Sequence, residues 1–410
     1  MKHAGIIPLI GGEILASEEA YGVRPEYLLT YSGFMNNEKH LIHRYKSQGY
    51  DIPYHILDQT ELSSLNLPQI DVMSSVCPCA GLSNYHNAYG EENQNNQWLE
   101  KTTQLVLNEV KPKVLWGENA PALATNVGKF MKNKMIDIAD KAGYNMSIYM
   151  TKSLNHGNPQ IRRRTFYFFW QREHFNNSIP VFEYYSRQPV NIREYLIDIK
   201  TNFQTDVISK KIPSKDDIYY RYFLEVVKNG MSHKDFSEEI SKDPNFTRPF
   251  FNVEFEMVNR MGVTYETIGE WMKEQGNQRE ADRCLRRHVK LKSGKGVMWR
   301  GTVIPVRYIG AFVVHMPYVV AHPTEDRYLN YREAMTIMGL PQDFELLDPE
   351  DSINHICQNV PYYTAKDMAT EVKAAIEGKR NMEKASFMLQ DNLAKNIREK
   401  VSNASIMDFM

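Results

Sequence analysis

Cys79 stands in the string Asp71-Val-Met-Ser-Ser-Val-Cys-Pro-Cys-Ala-Gly-Leu-Ser83, where a run with strand character ends in Pro78-Cys79 and continues through Gly81. In an open α/β sheet, ligands bind at the carboxyl edge. A thiol there, behind a rigid proline and ahead of a flexible glycine, is a candidate nucleophile. A lone free cysteine is more often a small apolar core residue, so the reading needs company. Lys113-Val-Leu-Trp-Gly-Glu-Asn-Ala120 is a second apolar run, and it delivers an acid, Glu118, to a strand end. A carboxyl group partly withdrawn from water can hold a proton near neutral pH; the plainer alternative is a solvated acid capping the next helix. Pro159-Gln-Ile-Arg-Arg-Arg164 leads into the aromatic run Thr165-Phe-Tyr-Phe-Phe-Trp170. In extended chain Gln160, Arg162 and Arg164 share one face. Such a row of guanidinium groups suits a phosphate backbone or a carbonyl oxygen.

These groups need a scaffold, and the first 170 residues supply an alternating pattern. Strands are predicted at 6–10, 27–32, 54–57, 72–76, 114–116, 146–150 and 166–170, and helices at 13–21, 37–48, 99–110 and 127–142. Gly22, Gly49 and Gly143 stand where helix C-caps are needed. The alternation predicts an α/β fold with a doubly wound, Rossmann-like sheet. From about residue 171 to 300 it gives way to amphipathic helical segments at 219–227 and 255–261, then to a basic stretch that includes Arg286, Arg287 and Lys290. That stretch is either a phosphate-binding surface or a solvated helix face. Further on, Arg327 to Phe344 reads as an amphipathic helix burying Ala334, Ile337 and Met338 and stopped by Gly339-Leu340-Pro341.

The chain as a whole excludes several classes. Its 410 residues allow one large α/β domain and a second, smaller one. Hydrophobic residues make up 42% and charged residues 24%, with no apolar run long enough for a membrane span, so no membrane association is expected. The net charge of −1 means that any nucleic-acid site must be local. Cys77, Cys79, Cys284 and Cys357 form no set with zinc spacing, and no metal is expected. No signal peptide is visible, which with the free cysteines points to a reduced cytoplasm; no obligate protein partner is evident.

Read in order, Pro78-Cys79-Ala80-Gly81-Leu82-Ser83, Glu118-Asn119-Ala120, Gln160-Ile161-Arg162-Arg163-Arg164 and Arg332-Glu333 with Gly339-Leu340-Pro341 resemble the motifs of the cytosine-C5 DNA methyltransferases. The resemblance runs from near the N-terminus to about Val372. It implies a methyltransferase catalytic domain at 1–170, a target-recognition domain at 171–325, a C-terminal return at 326–380 that completes the catalytic domain, and a helical tail at 381–410. It further implies double-stranded DNA as substrate, S-adenosylmethionine as donor, and a bacterial or phage-infected cell. Cys79 would be the nucleophile, Glu118 the group at cytosine N3, and Arg162 and Arg164 the holders of O2 or phosphate. Ser83 and Gln160 would contact DNA.

The family's cofactor contacts map onto Ile7, Gly11, Gly12, Ser32, Asp58, Pro78, Leu99, Gln358, Asn359 and Val360, with departures. Ile7 stands where the family has phenylalanine, Leu9 where it has glycine, Ser32 where it has a ribose-binding acid, Gln358 where it has glycine, and Ala80 where glutamine is common. Asp58 lies where the adenine-binding acid is expected. Two alternatives follow: a cytosine-C5 enzyme with an altered one-carbon donor, and a catalytically silent DNA-binding relative. The ring chemistry would be the same on RNA.

Overall fold

Five short runs of buried residues form parallel strands: β1 (His3–Ile6), β2 (Leu28–Thr30), β3 (Tyr54–Ile56), β4 (Val72–Ser75) and β5 (Val114–Asn119). They are joined by β6 (Tyr144–Lys152), β7 (Arg163–Gln171) and β8 (Phe387–Asp391) into one eight-stranded sheet of order β8-β6-β7-β5-β4-β1-β2-β3. β7 runs antiparallel to both neighbours, whereas β8 is parallel to β6. The computed structural model describes residues 1–82, 93–188, 190–197, 199, 201, 208–299, 301–312 and 316–393.

Helices α1 (Gly12–Tyr21), α2 (Met35–Ser47), α3 (Asn95–Leu105), α4 (Lys129–Ala142), α5 (Pro349–Gln358) and α6 (Tyr362–Ile376) accompany the sheet. Gly22, Gly49 and Gly143 take φ of 75°, 81° and 81°, the left-handed geometry expected where these helices end. α6 packs on α1, with Tyr362 and Lys366 both bonded to Glu19. The C-terminal return therefore comes back to the start of the chain. In β7, Phe166, Tyr167, Phe168, Phe169 and Trp170 are all buried, because an interior strand is covered on both faces. Trp116 stacks on Phe168 at a centroid distance of 6.2 Å, and Phe168 on Trp170 at 5.7 Å. Each such side chain contributes about 1.5–3 kcal/mol by leaving water.

Three expectations need correction. β1 ends at Ile6 rather than at residue 10: Pro8 has no N–H for the ladder, and Ile7 and Leu9 adopt φ of 54° and 49°. The tail is not helical where it is described, since Met382–Glu383 pairs with Ile179–Pro180 and β8 forms the sheet edge beside β6. The cause is visible at Gln390, the buried residue of β8, whose amide bonds both the N–H and the carbonyl of Phe182 at 3.0 and 3.2 Å. A polar residue facing inward inverts the alternation that marks a strand. Finally, the chain divides into Met1–Pro189 with Ile337–Met410 and Val190–Thr336, so the first unit extends past residue 170 through the Ile179–Pro180 pairing.

Among its described residues the second unit is mainly helical, and Phe250–Asn252 pairs antiparallel with Val303–Pro305. Its core is built on Tyr220, Phe223, Phe236, Phe251, Ile268 and Met272. Among the described residues no helix is long and apolar enough to cross a membrane.

Candidate active site

Strand direction decides which side chains meet. β4 and β5 are parallel neighbours, with Ser75 opposite Gly117, so their carboxyl ends lie side by side. Cys79 follows β4, and Glu118 is in the last part of β5. β7 runs the other way, which brings its first residues, not its last, to this same edge; Asn119 lies opposite Thr165. Arg164 Nε forms an ion pair with Glu118 Oε1, the two side chains being 16% and 4% exposed. A nearly buried carboxylate opposite a guanidinium is held in place as well as neutralised.

Cys79 is half-buried, and Leu82 N–H donates to its carbonyl at 3.0 Å. Burial pushes its thiol above the ordinary range, and the Glu118 charge acts in the same direction; Arg164 and then Arg162 pull the other way. The charges of Glu118, Arg164 and Arg162 thus all act on this thiol. Arg162 is buried, its N–H donating to Ser153 Oγ at 2.9 Å and its Nη1 to the Cys357 carbonyl at 2.9 Å. Burial and the Arg164 charge lower its pKa to about 10, which leaves it a cation at neutral pH. The arrangement offers a nucleophile, a carboxyl group and two cations at one sheet edge.

Because the Cys79 pKa is raised, the neutral thiol dominates at pH 7, and each unit of pH rise should yield tenfold more thiolate. Alkylation of Cys79 by iodoacetamide, followed by peptide mass spectrometry, should accelerate about tenfold per unit between pH 7 and 8. A rate already level at pH 7 would show that the two arginines have overcome burial.

The expected row of three side chains is not what forms. Gln160 is fully buried, donating its amide to Met338 Sδ at 2.8 Å and accepting at its carbonyl from Ser153 Oγ at 2.5 Å. Expected against DNA, it is an internal strut. Ser83 lies outside the described residues.

On the β2–β3 side of the sheet, Ser32 follows β2 and Asp58 follows β3. Ser32 donates both its N–H, at 2.8 Å, and its hydroxyl to the exposed Asp58 carboxylate, which these bonds hold below the ordinary range. Beside them Trp98 packs on Tyr31 and Phe34 at 4.9 and 5.1 Å, with Lys101 Nζ 4.6 Å from the Tyr31 ring centre. An exposed carboxylate next to aromatic faces can take a hydroxylated, flat ligand such as a nucleoside. Gly12 N–H donates to Asn359 Oδ1 at 3.0 Å, tying the first loop to the C-terminal return, while the buried Asn359 Nδ2 has no partner among the described residues. Leu99 and Val360 are buried, Pro78 is half-buried and Gln358 exposed. In the first loop Ile7 and Leu9 are both buried and left-handed, conformations that cost a branched side chain about 1–3 kcal/mol.

Sequence reasoning missed Glu13. It sits in the first turn of α1, where an acid normally caps a helix in water, yet it is buried beside Ser74, and burial pushes its carboxyl up to about 8. The neighbouring Glu118 charge adds to that shift. Sequence reasoning also missed Lys101 and Trp98, which lie beyond the recognised motifs. In the second unit Arg286 and Lys290 are exposed, but Arg287 points inward: Nη2 pairs with buried Glu254 at 2.5 Å and donates to the Met298 carbonyl at 2.6 Å. That residue is thereby corrected from a phosphate contact to a core ion pair.

A family model described as C-5 cytosine-specific DNA methylase matches residues 10–374. Among solved structures, a putative DNA modification methyltransferase encoded within an E. coli prophage aligns with a TM-score of 0.56 and 15% identity, over 92% of this chain and 99% of that one. The Entamoeba histolytica methyltransferase EhMeth aligns with a TM-score of 0.50 and 14% identity, over 92% and 98%. No curated protein matches the chain. At these identities the structural likeness concerns the fold.

Proposed function

The chain belongs to the C-5 cytosine-specific DNA methylase family, and on that premise we propose that Cys79 is the nucleophile that activates cytosine for methylation at C5. The observation that carries this reading is the meeting of Cys79, Glu118 and Arg164 at one sheet edge. Cytosine C5 is a poor nucleophile in the intact aromatic ring. Addition of the Cys79 thiolate to C6 forms a C6–S bond and moves the displaced electron pair through C5 toward N3, which makes C5 enamine-like. Glu118, holding a proton when N3 is against it, donates to that nitrogen and stabilises the developing charge. Arg164, released in part from Glu118, and Arg162 hold the O2 side of the ring and favour the thiolate. After C5 has been methylated, a base removes its proton, the electron pair re-forms the C5–C6 double bond, and the thiolate leaves. The target must be turned out of the duplex, at a cost of about a few kcal/mol.

S-adenosylmethionine, when bound, supplies an electrophilic methyl group. Ser32 and Asp58 would hold its nucleoside hydroxyls or amine, and Gly11, Gly12, Asn359 and Val360 would frame the rest. The residues fit a nucleoside at the Asp58 end; the first loop departs from the family's pattern, since Ile7 and Leu9 carry side chains where an aromatic ring and a glycine are usual. That departure supports a second reading, an altered group on the same sulfonium donor.

Incubation of duplex DNA with protein and S-adenosylmethionine, followed by nucleoside mass spectrometry, tests the proposal: 5-methylcytosine is expected. A different mass on cytosine from DNA modified in cells would favour the altered donor. Calorimetry with S-adenosylmethionine and its demethylated product should show Asp58→Ala weakening both by about ten- to a hundredfold, the usual range for a bond to a charged acceptor. Equal binding by parent and variant would remove Asp58 from the site.

A further inference from the structure

Helix α1 buries a polar stripe. Glu13, Ser17 and Tyr21 are spaced i, i+4 and i+8, which stacks them on one face of the helix, and all three are buried. That face meets a matching row on the sheet. Ser74 of β4 lies opposite Trp116 of β5, so the two side chains share a sheet face, and Glu118, two residues beyond Trp116, falls on it as well. Ser74 and the Glu118 charge both act on Glu13, and Trp116 and Ser17 stand beside the Tyr21 hydroxyl. Neither Glu13 oxygen, nor the hydroxyls of Ser17, Tyr21 and Ser74, nor Trp116 Nε1 makes a hydrogen bond of good geometry among the described residues. A layer that is ordinarily apolar here carries carboxyl and hydroxyl groups able to hold and pass a proton.

Glu13 keeps its proton at neutral pH, because burial pushes its carboxyl up to about 8 and the Glu118 charge adds to the shift. The other titratable groups facing it are Tyr21 on α1, Cys77 after β4 and Tyr167 on β7. Burial holds all three neutral, with the Cys77 thiol pushed up to about 11. Glu118, in its ion pair with Arg164, is thus the charged partner. Two carboxyl groups in one buried layer compete for a proton, and such pairs titrate together. An acid held in an ion pair has no proton to deliver, so protonation of cytosine N3 needs a second source.

We propose that Glu13 is a positioning residue that shares one proton with Glu118 and supplies it when cytosine N3 enters the site. The O–H bond of Glu13 breaks as one forms on Glu118, Glu13 is left as the carboxylate, and Glu118 passes the proton to N3. When the thiolate leaves C6 and the aromatic ring re-forms, N3 returns the proton through Glu118 to Glu13, so nothing is consumed. The inference deepens the proposed function and rests on Glu118 acting at N3.

The test uses the full-length protein in excess over duplex DNA, with S-adenosylmethionine, and follows single-turnover methylation against pH. Without Glu13, Glu118 takes its proton from water, and the protonated share of a lone carboxyl group falls about tenfold per pH unit above its ordinary range. The ratio of the parent rate to that of Glu13→Gln should therefore climb about tenfold per unit up to about pH 8 and level off beyond it. Glu13→Leu, which removes the same proton but not the same shape, should follow the same curve. A constant ratio at every pH, or different curves for the two variants, would overturn the proposal and leave Glu13 a packing residue. Methylation by Glu118→Gln at the parent's rate would sink the N3 role and this inference with it; a slow Glu118→Gln beside a constant ratio would sink the inference alone. Carbon-13 NMR of the glutamate carboxyl carbons reads the coupling without turnover. Glu13 and Glu38, which burial also pushes up to about 8, should both titrate in that range. In Glu118→Gln the Glu13 midpoint should fall, because the neighbouring charge is gone, while that of Glu38, bonded to Thr30 and Tyr54 at 2.6 Å each, stays. Two unmoved midpoints would overturn the proposal whatever the activity.

Discussion

Cys79→Ser is expected to abolish methyl transfer to duplex DNA, by roughly four orders of magnitude, while leaving DNA affinity within a few-fold of the parent. A hydroxyl is a far poorer nucleophile than a thiolate at any accessible pH, and the neighbouring cations cannot ionise it. The substitution replaces one atom and removes no cation, so the charges available to the DNA backbone are kept. Duplex carrying 5-fluorocytosine provides the clearer readout: with a methyl donor present, the parent protein should form a covalent adduct, because fluorine cannot leave C5 as a proton does. Cys79→Ser should form none. A normal adduct yield from that variant would move the nucleophile elsewhere, and Cys77, two residues away but buried against Ser75 at 3.3 Å, would be the first to examine.

Glu118→Gln should lower the single-turnover rate by about two to four orders of magnitude, the usual contribution of a positioned acid. The amide keeps the shape of the carboxyl and can still accept from Arg164, but it cannot deliver a proton to N3. Measurement with enzyme in excess over DNA separates this loss from any change in affinity. Removal of the Glu118 charge also removes a group that raises the Cys79 pKa. Iodoacetamide should consequently alkylate the variant's thiol faster at pH 7 even as methyl transfer slows. Opposite movement of the two rates is the signature of a proton donor beside a nucleophile. A variant with unchanged transfer would leave Glu118 as a structural partner of Arg164.

The candidate site was legible in the primary structure because its parts are local. Pro78-Cys79, Glu118-Asn119 and Arg162 to Arg164 each sit at the end of a strand whose apolar run is continuous in sequence, and the alternation of strands and helices specifies which sheet edge the first two share. The same locality explains what tertiary structure alone decided. Neighbours distant in sequence turned Gln160 inward onto Met338, placed Arg287 against Glu254 and enclosed Glu13 beside Ser74. Phe182 holds Gln390 inside β8 across 208 residues, converting an apparently helical tail into an edge strand. Periodicity reports which face of an element is apolar; it carries no record of the partner that will satisfy a buried polar group. That partner exists only once the sheet has brought distant segments together, so the same glutamine or arginine can serve as a surface contact or an internal strut.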